Sequence, residues 1–89
     1  MNNNLKKIVD ELDKCQIDNL EGRTFYGYGV IYGYGVISTL NVGVPLMGDP
    51  TEHSYTQRVA MALTMLRIKY GWRFIGMLTT TEMIFEKGY

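Results

Sequence analysis

The chain has 89 residues, 46% hydrophobic and 20% charged, and its nine basic and nine acidic side chains cancel. That length suits a single domain spanning residues 1–89 and excludes two, the composition excludes a disordered chain, and zero net charge removes the attraction that non-specific nucleic-acid or anionic-membrane binding relies on. The single cysteine, Cys15, excludes an intramolecular disulfide and a zinc site built on thiolates.

The first residues, Met1-Asn2-Asn3-Asn4, are polar and lead into a charged helical pattern, not an apolar signal segment. A cytoplasmic protein is expected. Leu5, Ile8, Val9 and Leu12 recur at helical spacing, with Lys6, Lys7, Asp10, Glu11, Asp13 and Lys14 between them. This predicts an amphipathic helix of about three turns that packs on one side only, capped by Asn4 or Asn3.

After a polar connection ending at Gly22, residues 26–37 read YGYGVIYGYGVI, a hexapeptide written twice. Alternate residues of a strand share a face. Because six is even, Tyr26, Tyr28, Tyr32 and Tyr34 fall on one side, and Gly27, Gly29, Gly33 and Gly35 on the other. One strand from Thr24 to Leu40 would run roughly 55 Å, far beyond the usual length, so a turn near Gly33 and a hairpin of two near-identical strands are expected. The uncharged window from Thr24 to Gly48 contains six glycines and a proline, which favours strands over a membrane-spanning helix.

Asp49, Pro50 and Glu52 form a helix-start signature, and Ser54 with Gln57 offers a second one a few residues later. Both starts are open. The helix runs to Tyr70 and stops at Gly71, with Arg67 and Lys69 in its last turn. Its apolar positions form two sets, one through Tyr55, Val59, Ala62, Leu63, Leu66 and Tyr70 and another through Met61, Met65 and Ile68. Together they span more of the circumference than one sheet contact requires. Two strands, residues 72–78 and 82–87, flank a turn at Thr79-Thr80-Thr81. The expected fold is α+β: helix, hairpin, long helix, hairpin, with a mainly antiparallel four-stranded sheet and the long helix across one face.

The stretch YGWRFIGM, a short turn and MIFEK, within residues 70–87, resembles a family of small uncharacterised bacterial domains. In those a helix is followed by a Gly-Trp-Glu-Leu-Val strand and a terminal strand ending Phe-Lys-Arg. Arg73 and Glu86 depart from that pattern. The resemblance implies the helix-hairpin layout and carries no functional residues across.

Glycine inside a strand costs roughly 0.5 to 1 kcal/mol, so four of them cost on the order of 2 to 4 kcal/mol, and a close neighbour must offset the loss. The neighbour is either the long helix, which would bring Ala60, Ala62 or the methionines against the backbone, or a ligand or second chain. Four phenols in a row could stack nucleobases, but the hairpin has only Arg23 beside it for a basic rim. A protein interface suits them better. The candidate partner-binding residues are therefore Tyr26, Tyr28, Gly29, Tyr32, Tyr34 and Gly35.

Catalytic chemistry has little to draw on. His53 is the one histidine, beside Glu52 in a first turn, and reads as a solvated residue, while Cys15 reads as inert. No enzyme, cofactor or metal site is expected. The expected function is that of a small binding protein acting through protein–protein contact, on size alone a phage or mobile-element inhibitor of a host defence protein. The alternative is an oligomeric protein that binds or sequesters a nucleotide-like ligand. In either case a homo-oligomer is expected, a dimer above other states, with no nucleic acid or membrane as partner.

Overall fold

The computed structural model describes residues 4–15 and 34–87. Helix α1 (Leu5–Cys15) comes first, then strand β1 (Tyr34–Ser38), a one-turn helix α2 (Thr39–Val42), the long helix α3 (Tyr55–Tyr70), and strands β2 (Trp72–Met77) and β3 (Glu82–Lys87). The sheet is antiparallel throughout with the order β1-β3-β2, so the C-terminal strand is central. The fold is α+β with an antiparallel sheet. Three strands stand among the described residues where four were expected. The remaining strand of the anticipated first hairpin would fall at residues 24–33, outside the described residues, and α2 was not anticipated at all.

Register assigns the two faces. Gly35 pairs with Phe85 and Ile37 with Met83, while Tyr34 pairs with Glu86 and Val36 with Ile84. On the other side of β3, Phe74 faces Phe85, and a one-residue slip at Ile75 then brings Gly76 opposite Ile84. Directly opposed residues share a face, so Gly35, Ile37, Phe74, Met83 and Phe85 look one way and Tyr34, Val36, Gly76, Ile84 and Glu86 the other. Helices α1 and α3 both pack on the first face. Leu5, Ile8 and Leu12 of α1 join Ala62 and Leu66 of α3, with Trp72 and Phe85, in one buried cluster. The Phe74 and Phe85 rings meet edge to face at 5.5 Å.

Long-range polar contacts fasten this arrangement. The Asn4 side chain does not cap α1; its Nδ2 donates to the Val42 and Val44 carbonyls at 2.9 Å each, and its Oδ1 accepts from the Leu46 N–H at 3.1 Å. The chain start is thereby tied to the loop after α2. Trp72 is fully buried. Its indole N–H donates to Asp13 of α1 at 3.3 Å, and Lys87 lies over its ring at 5.0 Å while donating to the Tyr70 carbonyl. Gly71 ends α3 at φ 76°, the left-handed conformation that glycine adopts without steric cost.

Candidate functional site

Of the six residues proposed to bind a partner, Tyr34 and Gly35 lie in the described strand β1; Tyr26, Tyr28, Gly29 and Tyr32 lie outside the described residues. Tyr34 is half-buried on the sheet face away from the helices, in register with Glu86. Gly35 is buried on the opposite face. A Cβ placed on it would stand 2.9 Å from Leu12 Cδ2 and 3.3 Å from the Leu12 carbonyl oxygen. At this position the glycine makes room for the short helix α1, where the sequence had suggested the long helix. The physical reason is depth: α1 lies on β1, and a side chain between them would push Leu12 out of its fully buried seat.

The start of α3 explains a second feature. Ser54 caps the helix, its hydroxyl accepting from the Gln57 N–H while the Gln57 side chain accepts from the Ser54 N–H. This reciprocal pair satisfies two donors at once. Asp49 instead holds the preceding turn. The Thr51 backbone N–H and hydroxyl both donate to its Oδ1 at 2.8 Å, and these bonds keep its carboxyl below the ordinary carboxylate value. His53 sits half-buried in the same turn, its N–H bonded to the Asp49 carbonyl. Among the described residues no three His, Cys, Asp or Glu side chains stand close enough together to hold a metal ion, and the Cys15 side chain lies outside the described set.

The concave apolar surface lies along α3. Ala60, Met61, Thr64, Met65 and Ile68 form one wall of an open groove of about 390 Å³, and Met47 from the loop after α2 forms the other. The loop is held against α3 by the Met47 N–H, which donates to the Arg58 carbonyl at 3.2 Å. Past Met47 and Met65 the surface continues toward Leu5, Lys6, Lys69 and Tyr70. Ile68 is 72% exposed and Tyr55, on the first turn, 58%. The signal was present in the sequence as the second apolar set at Met61, Met65 and Ile68; Met47 was invisible there, because only the fold brings it alongside.

On the outer sheet face Arg73 and Glu86 form a cross-strand ion pair. No family model matches this chain, and neither the curated proteins nor the solved structures yield a match. No helix among the described residues is long and apolar enough to cross a membrane.

Proposed function

We propose that the protein works by binding another protein, and that the methionine-lined groove on α3 receives an apolar helix of the partner. The observation that carries this reading is the presence of Met47, Met61, Met65 and Ile68 together around one open groove. Methionine is unbranched and polarisable, and it recurs on surfaces that mould themselves to a partner's apolar side chains. A volume of this size takes several such side chains. The rim adds a sign preference. Lys6 and Lys69 are exposed at one end and make no ion pair with a described residue, so an acidic residue flanking the partner's apolar stripe would be favoured. Two copies of this chain meeting at that end would oppose like charges, which argues for a heterologous partner over self-pairing through the groove. Inhibition of a host protein by a phage-borne, cytoplasmic chain is the specific role we propose for such contact.

The test is site-specific photocrosslinking in the native host, with a benzophenone side chain at Thr64 and a control at Lys7. The expected result is a discrete adduct with another protein at Thr64, absent at Lys7 and lost in the Met61→Lys, Met65→Lys double variant. An adduct of twice the chain mass would assign the groove to a second copy and return the dimer to first place. Identical adducts from both positions, or none, would remove the reading.

A further inference from the structure

Ala62 and Leu66 are fully buried on the sheet-facing side of α3, and the residue one turn before them on the same stripe is Arg58, only 7% exposed. Its Nε and Nη2 are closed to solvent and have no hydrogen-bond partner among the described residues. A buried cation without a counter-charge is among the least favourable arrangements a fold can hold. Among the described residues no carboxylate is paired with it. The uncharged stretch from Thr24 to Gly48 includes β1, α2 and the loop whose Met47 N–H bonds to the Arg58 carbonyl. Asp49, on the turn leading into α3, is engaged with Thr51. The two ion pairs among the described residues, Lys14–Glu11 and Arg73–Glu86, do not involve Arg58.

Which two atoms lack partners is informative. The Nε–H and one Nη2–H of a guanidinium point the same way from one edge, and that edge matches the two oxygens of a carboxylate or a phosphate. Arg58 also lies within four residues of the start of α3, the end of the helix where the amide dipoles add positive potential. We propose that Arg58 anchors a binding site for a small free oxyanion, a phosphate or carboxylate group held in two parallel N–H···O bonds by its Nε and Nη2. This site is independent of the methionine groove, so either can fail alone.

The test uses the full chain in chloride buffer at constant ionic strength, titrated separately with inorganic phosphate and with acetate, for the wild type and Arg58→Met. At least one anion should raise the wild-type Tm saturably by roughly 5 °C or more and move the Arg58 Nε resonance in a nitrogen-15 NMR spectrum. Arg58→Met should melt at or above the wild type without added anion and show no saturable rise. Saturation by phosphate but not acetate assigns a phosphate ligand; saturation by acetate alone assigns a carboxylate. Equal rises in both proteins, which report a general salt effect, would overturn the proposal. So would an unmoved Nε resonance, or an Arg58→Met protein melting well below the wild type in chloride.

Discussion

Helices α1 and α3 pack on the same sheet face and obey opposite rules. In α1 the apolar stripe Leu5, Ile8 and Leu12 is buried and the charges at Lys6, Lys7, Asp10, Asp13 and Lys14 are exposed. In α3 the buried stripe contains Arg58, and the opposite side exposes Ile68 beside Met61 and Met65. An ordinary amphipathic helix has completed its packing once its one stripe is covered. A helix with a charge inside and apolar groups outside has not, and the two unfinished features of α3 are where binding is proposed. The two glycines of the described strands, Gly35 and Gly76, differ in the same way. Gly35 lies under α1 with Leu12 against it, while a Cβ on Gly76 would meet nothing within 4 Å.

The largest effect should come from the finished helix. Leu12→Ala removes a fully buried side chain from the contact with β1, and should cost about 2 to 5 kcal/mol in a urea or thermal unfolding curve. A cost under about 1 kcal/mol would mean that α1 is not part of the cooperative core.

Next come the glycines. Gly35→Val meets Leu12 at both its side chain and its backbone oxygen, and overpacking of that kind costs about 1 to 3 kcal/mol. Gly76→Val has open space and gains strand propensity, so its stability should be unchanged or slightly raised. Equal effects at the two positions would erase the difference between the covered and open sites.

On α3 the signs should invert. Ile68→Lys replaces an exposed apolar residue and should leave stability within about 0.5 kcal/mol, yet remove the crosslink at Thr64. A large loss of stability would show that Ile68 belongs to the core and that the groove is closed in solution.

The smallest effect should be at Asp49. Its carboxyl titrates below the unfolded value because Thr51 donates twice to it. A lowered folded-state value gives stability that is complete above the unfolded value and is lost as the pH falls through the folded one. The Tm difference between the wild type and Asp49→Asn should therefore be constant above about pH 4 and shrink below it. A difference that grows on acidification would contradict the Thr51 bonds.

Much of the local structure was legible in the residues alone. The spacing of Leu5, Ile8 and Leu12, the stop at Gly71 after Arg67 and Lys69, and the two strands around Thr79–Thr81 each depend on neighbours within a few positions, and helical period, left-handed caps and short turns are local properties. The excess apolar breadth of α3 was legible for the same reason. Its meaning was not, because nothing local says which of two apolar sets the sheet will take.

Tertiary structure decided the rest. Asn4 has the side chain of a helix cap, but the carbonyls of Val42 and Val44 and the N–H of Leu46 offer it three bonds from some forty residues away. Asp49 and Ser54 compete as helix starts with similar local chemistry; Ser54 prevails with Gln57, while Asp49 keeps the turn at Thr51. The position of β3 between β1 and β2, the choice of α1 over α3 to cover Gly35, and the burial of Arg58 all follow from one event, the docking of distant segments on a shared sheet face. Such contacts join residues far apart in the chain, so their energy is absent from any short window of sequence and appears only when the whole core closes.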